Sequence, residues 1–217
     1  MDQLAQSILF GLVIVVMGWF VFGIVRNIRL GNAVMKWLRG GLPKIGERTT
    51  LRWLGSSAID LTLVKARAPF KSMQLLVVME PRDVPWFWLI ARAQGRRDML
   101  IIRGQLLSAP SYEFDLLAPG SWSESQRAGG GEARQWTMEP LETLNFRAPQ
   151  QTRSLSRSLA VPLLQAAQQV HPIVWRLSTR RDDPHLELHV PLPNPRQLDA
   201  VQFFDALRSL AEQASQR

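Results

Sequence analysis

The chain has 217 residues, with 26 Lys or Arg against 18 Asp or Glu, a net charge of +8 and no cysteine. Without cysteine there is no thiolate nucleophile, no disulfide frame and no Cys-ligated zinc, and pairing says nothing of the compartment. The positive excess is local: residues 26–71 hold ten Lys or Arg against Glu47 and Asp60, whereas residues 72–217 hold sixteen Arg against fifteen acids, so the distal charges read as ordinary solvated surface.

No charged residue lies between Asp2 and Arg26, and Leu4 to Val25 reads LAQSILFGLVIVVMGWFVFGIV. As a helix this run measures roughly 33 Å against a hydrocarbon core of about 30 Å. Residues 1–25 are therefore expected to form a transmembrane anchor. A cleaved signal fits poorly, because the start carries Asp2, the apolar core is too long and no small-residue site follows. Arg26, Arg29, Lys36, Arg39 and Lys44 come next, and by the positive-inside rule they hold that end in the cytoplasm, with the N-terminus outside. Within the run, Ser7 and Gly11 make a small-xxx-small pair, with Gly18 on the same side two turns on. Such a face favours close helix association, so a homodimer is an expected partner state.

Residues 26–48 read as a basic juxtamembrane segment. Ile28, Leu30, Val34, Met35, Trp37 and Leu38 alternate there with Arg29, Lys36 and Arg39, as in a short interfacial helix. Trp37 is expected at the headgroup boundary, and Gly40-Gly41 with Pro43 supplies a stop. Anionic headgroups near residues 26–44 are the expected partner of Arg26, Arg29, Lys36, Arg39 and Lys44, within a Debye length of about 8–10 Å.

Residues 49–217 are long enough for one cytoplasmic domain with a real core. Strands are predicted at Ser57–Lys65, Met73–Met79, Trp86–Ala91, Met99–Ile102 and around Tyr112–Leu116, at intervals that favour antiparallel pairing. A small-residue stretch at 118–133 reads as a flexible loop. A strand near Trp136 and Met138 follows, then a helix through Leu155, Leu159, Leu163 and Val170 that contains Pro162. Strands through Ile173–Leu177 and Leu186–Val190 come next, and a last helix capped by Asn194. The fold class is α+β: one N-terminal transmembrane helix, then a strand-rich domain ending in a strand-helix-strand-strand-helix segment. Core packing is the expected role of Trp53, Trp86, Trp88, Trp136 and Trp175; Trp122 falls in the loop.

Motifs that would carry chemistry are sparse. His185 and His189 have zincin spacing, but HLELHVPL alternates as a strand, which sets the two imidazoles roughly 13 Å apart. Gly129-Gly130-Gly131 lacks the Lys-Ser/Thr of a phosphate loop, and no serine sits in a G-x-S-x-G elbow. No cofactor or metal is expected. The expected function is a single-pass, non-catalytic interaction or accessory module that meets an unknown protein partner at the membrane. Two alternatives are binding of a polyanion, anionic lipid or nucleic acid, through the basic segment, and a membrane-tethered enzyme without a recognisable motif. Positive charge beside a span serves orientation alone in many proteins, so nucleic acid is not expected as the partner.

Overall fold

A computed structural model describes residues 2–121 and 136–215. Most of the expected loop at 118–133, with Trp122 and the triple glycine, lies outside the described residues. Residues 118–121 form a turn in which the Ser121 N–H donates to the Ala118 carbonyl.

The first element is one helix, α1 (Asp2–Gly41), which at 1.5 Å per residue is about 60 Å long. It crosses position 25 without a break. The separate short helix expected at Ile28–Leu38 is instead the second half of this one helix. The expected stop holds: Gly41 ends the helix and Pro43 lies in a 3-10 turn, Leu42–Lys44. The two halves of α1 differ in surroundings. In the apolar window only 6% is buried, whereas Val34, Met35, Trp37 and Leu38 belong to the domain core.

The domain is an α+β fold built on one antiparallel sheet. Its strands are β1 (Gly46–Trp53), β2 (Ala58–Ala66), β3 (Phe70–Val78), β4 (Met99–Leu106), β5 (Phe114–Leu117), β6 (Met138–Leu141), β7 (Leu144–Arg147), β8 (Arg176–Thr179) and β9 (Leu186–Pro191). The spatial order among the described residues is β1-β2-β3-β4-β9-β8-β5-β7-β6. Strand β4 pairs with β9, so the two halves of the sequence join in a single sheet. The helices after α1 are α2 (Pro85–Ala93), α3 (Arg153–Val170) and α4 (Ala200–Ala214).

Alternation along the strands gives the sheet one apolar face. Ile59, Leu61 and Leu63, Met73, Leu75 and Val77, Leu100 and Ile102, and Leu188 and Val190 pack there with the second half of α1, with α3 and with α4. Close approach of α1 depends on glycine. A Cβ on Gly31 would lie 2.6 Å from Trp53 Cη2 and 2.8 Å from Ile59 Cδ1, and one on Gly41 would collide with Phe204 and the Ala200 carbonyl.

Three sequence expectations are corrected. Trp86–Ala91 is not a strand but most of α2, with Pro85 in its first turn, where its missing N–H costs nothing. The cap of α4 is Asp199, whose Oδ1 accepts from the Val201 and Gln202 N–H groups. Asn194 instead caps an isolated turn, accepting from the Arg196 N–H. Of the five tryptophans expected in the core, Trp53 and Trp86 are exposed and Trp88, Trp136 and Trp175 are half-buried. Pro162 lies inside α3, on its exposed side.

Candidate functional site

Two clusters of polar side chains stand out. The first lies where α1 leaves the domain. Asn27 is fully buried; its Nδ2 donates to the Glu80 carbonyl at 3.0 Å and its Oδ1 accepts from Arg82 at 3.1 Å. Arg82 forks onto both oxygens of Asp98, at 2.9 and 2.7 Å. The Glu80 carboxylate, whose side chain is 3% exposed, accepts from the Trp88 indole N–H at 2.5 Å and pairs with Arg92 at 3.2 Å. About two turns further up α1, the Trp19 indole N–H donates to the Arg82 carbonyl at 3.0 Å. A side chain on Gly23 would run into the backbone of Arg82 and Asp83. Helix α1 is thus joined to this corner of the domain by one charge-assisted bond, Arg82 to Asn27, and two neutral ones, from Asn27 and from Trp19, while the bidentate Arg82–Asp98 pair, of the strong kind, holds Arg82 in place.

The second cluster is the sheet face turned away from the helices. One row of directly opposed residues crosses the sheet: Thr50, Thr62, Gln74, Arg103, Glu187, Ser178, Asp115 and Arg147. Side chains so placed share a face and touch their cross-strand neighbours. Asp115 is fully buried and meets three guanidiniums, Arg180 at 2.7 Å, Arg147 at 2.8 Å and Arg176 at 3.5 Å. Burial alone would raise its pKa, but Arg180, Arg176 and Arg147 together hold it below the ordinary carboxylate value. Arg180 also lies 4.6 Å over the Trp136 ring, a cation–π placement.

Beside this centre, Glu187 pairs with Arg176 at 3.1 Å and Arg103 at 3.4 Å, and lies 2.6 Å from His189 Nε2. Burial opposes its ionisation, yet the hydrogen bond from His189 and the charge of Arg176 outweigh it and hold the carboxyl at about 2. Burial pushes His189 below its usual range against the pull of Glu187. Facing a carboxylate, which can only accept, Nε2 carries the proton of this bond. Toward β2 and β3 the face opens into a shallow pocket of about 420 Å³ lined by Thr62, Ser72, Gln74, Arg103, Gln105 and Glu187.

The His189–Glu187 pair has the geometry of a base and the group that orients it, but the nearby Ser178 hydroxyl bonds Asp115. Covalent catalysis by this pair would need a protein nucleophile within hydrogen-bond reach of the imidazole. His185 takes a separate partner, accepting from the Leu106 N–H at 3.0 Å.

No family model matches the chain, and no curated protein does.

Arg26, Arg29, Lys36 and Arg39 lie on the exposed side of α1. Lys44 is 3.8 Å from Asp205 of α4. Trp37 is buried, its indole N–H donating to the Leu198 carbonyl at 2.6 Å and its ring edge-on to Phe203 at 5.1 Å. Its surroundings are protein. Ser7, Gly11 and Gly18 are exposed, and among the described residues none from elsewhere in the chain comes within 4 Å of where a Cβ on Gly11 or Gly18 would lie. At 3.6 residues per turn this face is roughly half a turn from the Trp19, Gly23, Asn27 and Gly31 stripe that meets the domain. Sequence reasoning missed Asn27, Glu80, Arg82 and Asp98, and also the Asp115 row. The signal for the row was present in the alternation Glu113, Asp115 and Glu187, His189 along strands whose other face is apolar.

His189 gives the fold a defined acid sensitivity. Below the usual value of 6.5 the unfolded chain takes up a proton that the folded chain resists, so stability falls as pH drops through that window. Glu187 adds a further loss below 4.5 and continuing toward about 2. Urea midpoints of the full chain in detergent should decline from pH 7.5 to 5.0. In His189→Gln, which retains a donor for Glu187, the decline should be shallower, with His171, also lowered by burial, supplying the remainder.

Proposed function

We propose that α1 crosses a membrane once and that the domain is a non-catalytic accessory module held rigidly against the cytoplasmic surface, offering the open end of the polar sheet face, around Thr62, Gln74 and Gln105, to a protein partner. The supporting observation is the continuity of α1: a helix whose apolar half is almost wholly exposed passes without a joint into a half buried in the core. A soluble protein would expose that apolar half to water at a cost of about 25 cal/mol per Å², whereas a bilayer covers it. The helical geometry also narrows the headgroup partners. Arg26 and Arg29 directly follow the apolar run, while Lys36 and Arg39 lie about 15–20 Å further along the axis, beyond a Debye length of about 8–10 Å. The small-residue face of Ser7, Gly11 and Gly18 stays clear of the domain, so a second copy could pair along the span.

Alkaline carbonate washing of membranes from cells that express the full chain tests the anchor. The chain should stay in the pellet, and protease added to inside-out vesicles should digest the domain; recovery in the carbonate supernatant would overturn the reading. A photocrosslinking residue at Gln105, beside the sheet-face pocket, should then give a discrete adduct that the same residue at Leu155, on exposed α3 surface, does not. Equal, diffuse labelling from both positions would remove the sheet face as the interaction surface.

A further inference from the structure

Helix α2 is amphipathic in the inverted sense. Its polar contacts face the protein: the Trp88 indole N–H and the Arg92 guanidinium both reach Glu80, and Ala91 is buried. Its outward arc consists of Trp86 (55% exposed), Phe87 (59%), Leu89 (64%) and Ile90 (52%). At 100° per residue these four and Ala93 sweep about 160° of the helix without one charged group. An apolar patch of several hundred Å² on a folded surface marks a site that something covers.

The position of α2 says what covers it. Trp88 meets Trp19 of α1, ring centroids 5.9 Å apart, and Trp19 donates to the Arg82 carbonyl just before α2 begins. Val13, Phe20 and Phe22 on α1 are exposed as well, so the apolar surface of the span runs on into that of α2. If Val25 marks the edge of the apolar run, Trp19 lies about 9 Å inside it along the helix axis. Interfacial helices bury their apolar faces to a depth of about 5–10 Å. Leu54, 48% exposed, extends the patch from the β1–β2 turn, where Ser56 bonds Asp83 at 2.9 Å. Arg92 and Arg97 at the far end of α2 supply cationic groups at the polar boundary; the Arg97 guanidinium caps the Arg92 and Arg96 carbonyls.

We infer that α2 is a second membrane contact: a monotopic helix that inserts Trp86, Phe87, Leu89 and Ile90 into the cytoplasmic leaflet beside the span. This rests on the reading of α1 as a membrane span. Two contacts at fixed separation on one rigid body set the tilt of the domain, which a single helix does not, and so fix where the sheet face points.

The absence of cysteine from the natural chain makes the test clean. Single nitroxide labels at Leu89→Cys and Ile90→Cys, in the full chain reconstituted into nanodiscs of phosphatidylcholine and phosphatidylglycerol, report access to oxygen, which concentrates in lipid, and to a nickel chelate, which stays in water. Ile14→Cys in the span and Leu107→Cys at the opposite end of β4 are references; all four positions are exposed, so none of the substitutions removes core packing. Oxygen access several-fold above nickel access at Leu89 and Ile90, as at Ile14 and opposite to Leu107, is the expected result. A water-like label at Leu89 and Ile90 with a lipid-like label at Ile14 overturns the inference and leaves the span intact. Water-like labels at all positions overturn both. Labels at Leu89 and Ile90 shielded from both reagents place a protein surface, not lipid, on α2 and also overturn the inference.

Discussion

A chain that begins at residue 45 should fail to fold, whereas one that begins at residue 26 should unfold cooperatively. The shorter chain follows the division that composition suggests, with the basic segment removed along with the anchor. That segment holds Val34, Met35, Trp37, Leu38 and Leu42, all within the domain core. Full burial of such side chains contributes about 1.5–3 kcal/mol each, so their loss removes on the order of 10 kcal/mol from a domain whose whole stability is about 5–15 kcal/mol. Their removal also strips the cover from Ile59 and Trp53, which meet α1 at Gly31, and from Phe203, which packs edge-on to Trp37. Far-UV circular dichroism with urea titration, both chains in mild detergent, checks the expectation. A cooperative transition in the 45–217 chain within about 2 kcal/mol of the longer one would show that α1 is dispensable to the core, against the area-based estimate.

The same segment shows where sequence reading runs out. An apolar stripe with Arg29, Lys36 and Arg39 on the other side fits a helix lying on a membrane and a helix packed on a sheet equally well, because both bury one face and wet the other. Only the sheet, assembled from residues far along the chain, decides between them. Strands β2 and β9 were legible from alternation, β3 and β4 from short apolar runs between turns, and α3 and α4 from a helical period with a single buried side. Strand β1, at the sheet edge, reads GERTTLRW and carries no apolar alternation. Strand β7 has four residues, and the turn before it places Glu142 at φ 54°, where glycine or asparagine would have announced a hairpin. For α2 the ambiguity was intrinsic: a six-residue apolar run supports a buried strand or a helix, and the sequence cue for helix, Pro85 at its start, is easily taken for a turn. Its inverted amphipathicity has meaning only once Glu80 and Trp19 are seen beside it. The polar clusters were the least legible part. Asn27, the Glu80-Pro81-Arg82 segment and Asp98 lie far apart in the chain, and nothing in their spacing announces a contact.

Asp115→Asn should be among the most damaging single substitutions in the domain. Asparagine matches the shape of aspartate but removes the charge that Arg147, Arg176 and Arg180 share, and it does so where Asp115 and Ser178 are almost fully buried. Removing one partner of a buried ion pair costs about 3–5 kcal/mol, because the remaining charge stays desolvated. Here Arg147 and Arg176 stay buried and Arg180 partly so, and their mutual repulsion is no longer offset. The exposed pair Arg208–Glu212, at 3.1 Å and four residues apart on α4, is the contrast: Glu212→Gln should cost less than about 0.5 kcal/mol. Urea denaturation of the full chain in detergent at pH 7.5 compares the two directly. If Asp115→Asn and Glu212→Gln proved equally mild, the guanidiniums would have to be relaxing into solvent. The sheet face would then be a yielding surface rather than a fixed constellation, and the geometry offered to a partner at Gln105 would not survive the loss of one carboxylate.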